Sequence, residues 1–189
     1  MPRRKRELAP GYYCHLYDRS NHHQAIFFER ANYLYFLKQF RYYLMGQTMH
    51  AIAYCWMPNH YHFLIYLRDD SLSAAMQKFS LSYANAINRR YSRCGSLFQG
   101  RFQTIRVDSN EYLLSLTRYL HLNPVKAQLV LHPEEWESSR HREYVNLHQE
   151  TLPKLDMVRP WAGTAQTYQT SVEALAENPQ QPIQQFMLG

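Results

Sequence analysis

Two histidines stand two residues apart at the start of an apolar, β-prone run. His60 and His62 follow Pro58 and Asn59, a pair typical of a turn, and the run ends at Leu67. Side chains two residues apart on a strand point to the same face, so a strand here presents both imidazoles side by side. Paired imidazoles can bind a divalent metal ion when a third ligand is near. The alternative is two half-buried histidines beside a turn that bind nothing.

A second pair of reactive side chains lies near residue 120. Tyr119 and Asn123 are four residues apart in a segment of helical spacing, so they share one helix face. Asn offers a carbonyl oxygen to a metal, and Tyr offers a phenol that can act as a nucleophile. His121 lies two residues from Tyr119 and therefore points elsewhere, so we do not assign it as a base.

Hydrophobic spacing predicts the strands and helices that must position these side chains. In chain order we expect a strand at 12–17, a helix at 29–44, strands at 50–56 and 60–67, a helix at 72–93, a strand at 102–107 and a helix at 111–122. Pro124 is expected to end or bend the last helix. This order is the split βαβ, ferredoxin-like pattern of an α+β protein, with one antiparallel sheet and the helices packed on one face.

The chain divides into three parts on composition. We expect residues 1–10 to form a short basic N-terminal arm and residues 11–149 to form a single domain. Residues 150–189 form a C-terminal extension rich in Pro and Gln with few large apolar side chains. We expect this tail to be weakly ordered or to lie across the domain as a strap.

The charge of the chain points to an acidic partner. The net charge is +6, from 21 basic and 15 acidic residues, and 16 tyrosines are present. The first 149 residues hold 19 of the basic and 11 of the acidic residues, a net charge of +8. A basic body rich in aromatic side chains suits a polyanion such as nucleic acid. Many soluble proteins are also mildly basic, so charge alone does not decide.

Cysteine usage and hydropathy set the expected compartment. Cys14, Cys55 and Cys94 are far apart and include no Cys-x-x-Cys pair, which supports neither a zinc ribbon nor a disulfide framework. We see no apolar run long enough for a membrane span and no signal core after the basic arm. The sequence therefore predicts a cytoplasmic protein with no membrane partner.

The two motifs together resemble those of the REP-associated tyrosine transposases. This family comprises single-tyrosine relatives of the insertion-sequence single-strand transposases, within the HUH nuclease group. The resemblance is carried by MPNHYH at 57–62 and RYLHLNPVKA at 118–127, with IFF at 26–28 and GRF at 100–102. It covers residues 11–146 and leaves the tail unmatched.

The resemblance implies a metal-dependent DNA nuclease and strand transferase. His60, His62 and Asn123 would bind Mg²⁺ or Mn²⁺, and this mixed ligand set suits Mn²⁺ better than Mg²⁺. Tyr119 would attack the scissile phosphate, giving a 5′-phosphotyrosine and a free 3′-OH.

The implied substrate is a DNA hairpin of the repetitive extragenic palindrome type with a single-stranded flank. Basic side chains would hold its phosphates, although any one of them can instead be a solvated surface charge. The candidates are Arg3, Arg4, Lys5, Arg6, Arg89, Arg90, Arg93, Arg101 and Lys126. The insertion-sequence relatives act as dimers, and for this chain both a monomer and a homodimer stay open.

Two other functions fit the same basic domain. One is a sequence-specific hairpin-binding regulator with little catalysis, but all four reactive residues are intact, which favours the enzyme. The other is a small RNA-binding domain, because ferredoxin-like sheets often bind single-stranded RNA. No aromatic RNP motif lies on the predicted strands.

Overall fold

One four-stranded antiparallel sheet organises the fold. The computed structural model describes residues 9–147 and 159–177, and its strands run in the order β2-β3-β1-β4. The strands are β1 (Tyr13–Arg19), β2 (Met49–Met57), β3 (His60–Leu67) and β4 (Gln103–Val107). The helices are α1 (Arg30–Leu44), α2 (Leu72–Arg90), α3 (Asn110–Lys126), α4 (His141–Tyr144), α5 (Arg159–Ala162) and α6 (Ala165–Glu177).

The predicted α+β, ferredoxin-like order and the antiparallel sheet are confirmed, but the helices do not all lie on one face. α1 and α2 pack against the face that carries Tyr61, Phe63 and Ile65. α3 packs against the opposite face, in the cluster that holds Leu64. The reason is visible in β2, where residues 51–57 are buried on both faces. An apolar strand of this kind needs cover on both sides.

α3 continues through Pro124 instead of ending before it. The helix runs to Lys126, and Ala127 N–H donates to Asn123 O at 2.9 Å. Proline has no N–H to donate to the carbonyl four residues earlier, and its ring crowds that carbonyl. A helix continues past proline only where packing against the rest of the protein holds it in place. Residues 119–124 are all buried. Packing of this segment therefore outweighs the local preference to stop.

The free edge of β2 is covered by residues 136–144. Trp56 N–H donates to Ser138 O at 2.9 Å, and Arg140 N–H donates to Tyr54 O at 3.1 Å. β2 also has an irregularity between Ala51 and Ala53, where pairing with β3 shifts.

The fully buried Arg140 satisfies the carbonyls at this irregularity. Its Nη1 donates to Ala51 O at 2.6 Å and Ile52 O at 3.0 Å, and its Nε donates to the buried Glu143 carboxylate at 2.7 Å. The charge is thus paired and hydrogen bonded, as a buried ion must be.

The expectation for the tail is weak order or a strap across the domain. Its described residues form α5 and α6, which pack on α3, so the second alternative describes them and the first does not. α6 packs on α3, and the Tyr168 hydroxyl lies 2.8 Å from His121 Nδ1 in the buried core. His121 therefore faces away from the predicted site, as expected. The proposed boundary at 149/150 and the Pro/Gln-rich end of the tail lie outside the described residues. No helix in the described ranges is long and apolar enough to span a bilayer.

Replacing Arg140 should destabilise the domain strongly. In Arg140→Met, the Glu143 carboxylate loses its ion pair and the Ala51 carbonyl loses the guanidinium, while the Ile52 carbonyl keeps only the Tyr144 hydroxyl at 3.1 Å. Breaking a buried ion pair costs about 3–5 kcal/mol. Urea unfolding should show this loss. The matched variant Arg89→Met, at an exposed position of α2, should change the free energy of unfolding by less than about 0.5 kcal/mol. Equal stability of the two variants would contradict this assignment.

Candidate active site

The two sequence motifs meet on one face of the sheet. Antiparallel pairing of β1 with β3 sets Tyr17 opposite His62 and Arg19 opposite His60. Cross-strand partners share a sheet face, so all four side chains lie together. α3 covers this face, and the ring centroids of Tyr119 and His62 are 6.4 Å apart.

His60 begins β3 and is partly exposed at the mouth of a cavity. Its Nδ1 lies 2.7 Å from Asn59 Oδ1, and because an amide oxygen only accepts, Nδ1–H is the donor. Nε2 then keeps its lone pair. Burial, with smaller effects of Arg19 and His23, lowers the pKa of His60 to about 4. His60 is therefore neutral at physiological pH, the form that binds metals.

His62 lies deeper on the same face. It is 8% exposed, and its ring centroid is 5.0 Å from that of His60. Its Nδ1 is 3.0 Å from Nε2 of His15, which leaves Nε2 of His62 as the nitrogen that can bind a metal. Burial, then proximity to His15 and His60, holds the pKa of His62 well below its usual value.

Tyr119 places its phenol at this cavity from the α3 side. Burial and the nearby Cys55 raise the pKa of the phenol, while a side-chain hydrogen bond with Asn123 lowers it, for a net increase. The Lys126 ammonium lies 5.3 Å from the centre of the Tyr119 ring. The phenol is therefore protonated at neutral pH.

Asn123 sits one helical turn after Tyr119 and is 9% exposed. Its Nδ2 is the amide atom that can donate to the Tyr119 phenol, since only a donated hydrogen bond lowers the pKa of that group. Across residues 9–147 and 159–177, no group of three His, Cys, Asp or Glu side chains could hold a metal ion. Asn123 is not among the residues that line the cavity with His60 and His62.

A cavity of about 490 Å³ opens in front of Tyr119, His60 and His62. Its volume is in the range of small-molecule and cofactor sites. Most of the remaining wall is polar or charged. It comprises Tyr17, Asp18, Arg19, His23, Asn59, Gln99, Gly100, Arg101 and Gln103. Such a wall suits a polar, anionic ligand.

Two of the predicted basic residues lie beside Tyr119. Arg101 lines the cavity, and Lys126 contacts the Tyr119 ring. The remaining described candidates lie near the C-terminal end of α2. Arg3, Arg4, Lys5 and Arg6 lie outside the described residues.

The α2 arginines differ in their surroundings. Arg89 is exposed, whereas Arg90 forms an exposed ion pair with Glu29. Arg93 donates to Gln24 Oε1 at 2.6 Å, in the loop that also carries the cavity residue His23. These side chains extend positive charge from the cavity toward α2.

Sequence reasoning missed the contribution of β1 to the site. Three alternate residues of β1 lie beside the histidines of β3. Tyr17 is opposite His62 and Arg19 is opposite His60, while His15 hydrogen bonds to His62. The signal was present, because alternate positions of a strand beside β3 must share the histidine face. To use this signal one must know that β1 pairs with β3. The split βαβ pattern implies this pairing, but the local sequence of β1 does not show it. Gln99 and Gln103 gave no comparable signal.

Two comparisons with known proteins gave a match, one to a family model and one to a solved structure. The family model described as "Transposase IS200 like" matches residues 10–123. A solved structure of the REP-associated tyrosine transposase bound to a REP hairpin aligns with a TM-score of 0.64 at 19% sequence identity. The alignment covers 87% of this chain and 93% of that chain. A search of curated protein sequences found no relative.

Proposed function

The chain belongs to the IS200-like transposase family, and we propose that it cuts and rejoins single-stranded DNA beside a hairpin, with Tyr119 as nucleophile. The observation that carries this proposal is that Tyr119, His60 and His62 line one cavity. One chain supplies both the imidazole pair and the phenol–amide pair, so a monomer is sufficient for the chemistry. The structural neighbour, itself bound to a REP hairpin, has the same fold.

The donor set at the cavity fits Mn²⁺ or Mg²⁺. His60 and His62 each engage Nδ1 with a neighbour and leave Nε2 as the available nitrogen. Asn123 adds an amide oxygen one turn from Tyr119. Two imidazoles and one amide oxygen are a mixed set that leaves positions open for water and phosphate oxygen and suits Mn²⁺ well. When bound, the cation would draw electron density from the scissile phosphorus and neutralise developing charge.

Tyr119 carries the covalent step. Its Oη attacks the phosphorus in line with the leaving 3′ oxygen, and the phenolic proton passes to solvent. The P–O3′ bond breaks, the 3′ oxygen takes a proton, and the 5′ phosphate stays on Tyr119. The phosphodiester energy is kept in the phosphotyrosine, so attack by a 3′-OH reverses or redirects the step without ATP. The Lys126 ammonium near the ring would stabilise the negative charge of the scissile phosphate and of the phenolate as it forms.

The substrate we propose is a hairpin of the repetitive extragenic palindrome type with an unpaired flank. In-line attack needs a strand that can bend, so the scissile linkage lies in the single-stranded part. Arg101 and Arg19 in the cavity wall would contact phosphates of the flank, and the α2 arginines would hold the stem. Phosphate contacts give affinity and salt dependence, while base edges give specificity.

Tyr119→Phe should abolish covalent adduct formation. A hairpin with a single-stranded flank, labelled at the 3′ end, is incubated with the full chain and Mn²⁺ and resolved on a denaturing gel. Wild type should give a protein–DNA adduct that EDTA prevents. Tyr119→Phe should give none while its hairpin affinity stays within about twofold, because only the nucleophile is lost.

Tyr112→Phe is the matched control, since Tyr112 lies on α3 but does not line the cavity. It should form adduct at the wild-type level. Adduct in Tyr119→Phe would remove this tyrosine from the mechanism. Tight binding by wild type without adduct would instead support the regulator that binds hairpins with little catalysis.

Arg101→Gln should weaken binding of the flanked hairpin more than Arg90→Gln. Arg101 faces the cavity, whereas the charge of Arg90 is already paired with Glu29. Removing one phosphate contact reduces the slope of log affinity against log salt by about 1. Fluorescence anisotropy across a salt series measures this slope. An unchanged slope in Arg101→Gln would exclude a phosphate contact at that side chain.

A further inference from the structure

A third histidine lies directly behind the predicted metal ligands. His15 is on the central strand β1, is completely buried, and does not line the cavity. Its Nε2 is 3.0 Å from His62 Nδ1, and the two rings are stacked with centroids 5.1 Å apart. Its other nitrogen, Nδ1, is buried and has no hydrogen-bond partner among residues 9–147 and 159–177. His15 therefore makes its one hydrogen bond to His62.

That contact decides which nitrogen of His62 can bind a cation. The hydrogen bond between the two ring nitrogens contains one hydrogen, which belongs either to His15 Nε2 or to His62 Nδ1. If His15 Nε2–H donates, His62 accepts at Nδ1 and carries its own hydrogen on Nε2, where no lone pair remains. If His62 Nδ1–H donates, His62 Nε2 keeps its lone pair. The second arrangement alone is compatible with His62 as a ligand through Nε2.

We propose that His15 is a positioning residue that accepts the Nδ1–H of His62 and so holds Nε2 of His62 ready for the cation. This inference rests on the proposed metal-dependent function. Metal-binding histidines generally donate their second ring N–H to a carboxylate, carbonyl or water, which sets the tautomer and ring orientation. Here a neutral imidazole fills that role.

Because the hydrogen-bond partner of His62 is uncharged, it does not offset the positive charge that a bound cation offers to a DNA phosphate. His60 is oriented in the same way by the uncharged Asn59 amide oxygen at 2.7 Å. The hydrogen bonds that orient the two imidazoles thus come from the neutral side chains of His15 and Asn59, and neither of these partners adds negative charge behind the place that must receive a phosphate. The arrangement keeps the cation's charge available to the DNA.

His15 could instead be only a packing residue, and the two roles predict different behaviour. A packing residue tolerates an apolar replacement of similar size without effect on metal affinity. A positioning residue needs an acceptor at the place of Nε2, which the Oε1 of glutamine can supply and leucine cannot.

The test compares His15→Leu with His15→Gln in the full chain. Binding of Mn²⁺ is measured from the loss of the free aqueous Mn²⁺ signal in electron paramagnetic resonance. We expect His15→Leu to weaken Mn²⁺ binding by about 10–100-fold, the usual effect of losing such a partner, and His15→Gln to stay near wild type. Hairpin affinity without metal should be unchanged in both, and excess Mn²⁺ should restore adduct formation by His15→Leu.

A second measurement on the wild-type chain covers the case in which His15→Leu fails to fold. Before any metal is added, long-range ¹⁵N–¹H correlations should show His62 protonated at Nδ1. Protonation at Nε2, or equal Mn²⁺ affinity of wild type and folded His15→Leu, overturns the role of His15 alone. No Mn²⁺ binding by wild type overturns the proposed metal centre, and this inference with it.

Discussion

The site depends on the register between β1 and β3. Tyr61, Phe63 and Ile65 of β3 are buried against α1 and α2, which turns the alternate residues His60 and His62 to the other face. A slip of one residue would exchange the two faces and bury the imidazoles among aromatic rings. Burial of one apolar row thus sets the direction of the histidine row. The same pairing brings Tyr17 and Arg19 of β1 beside His62 and His60.

The helix that bears Tyr119 is held from several sides. α3 packs on β2 and β3 with one face and on α6 with another. His121 meets Tyr168 of α6, which leaves Tyr119 and Asn123 to face the sheet. Arg140 fixes the neighbouring edge of β2 through the Ala51 and Ile52 carbonyls. A side chain on a packed helix is placed more accurately than one on a loop, which suits the in-line attack that we propose for Tyr119.

The order of strands and helices could be predicted from the sequence because periodicity is a local signal. The histidine pair could be found for the same reason, since spacing alone sets a shared face. The side of the sheet that α3 covers depends on tertiary packing, although the unbroken apolar run in β2 indicated cover on both faces. The passage of α3 through Pro124 and the order of α6 also arise from burial against distant residues. His15 was missed because its role exists only through its contact with His62, 47 residues away.

Anomalous diffraction from crystals grown with Mn²⁺ and a flanked DNA hairpin tests the central claim most directly. The claim is that a strand-borne imidazole pair and a helix-borne phenol–amide pair converge on one cation. We expect a single strong manganese peak about 2 Å from Nε2 of His60, Nε2 of His62 and Oδ1 of Asn123, with the Tyr119 hydroxyl facing the bound phosphate. A manganese peak at other side chains, with His60 and His62 unliganded, would contradict it.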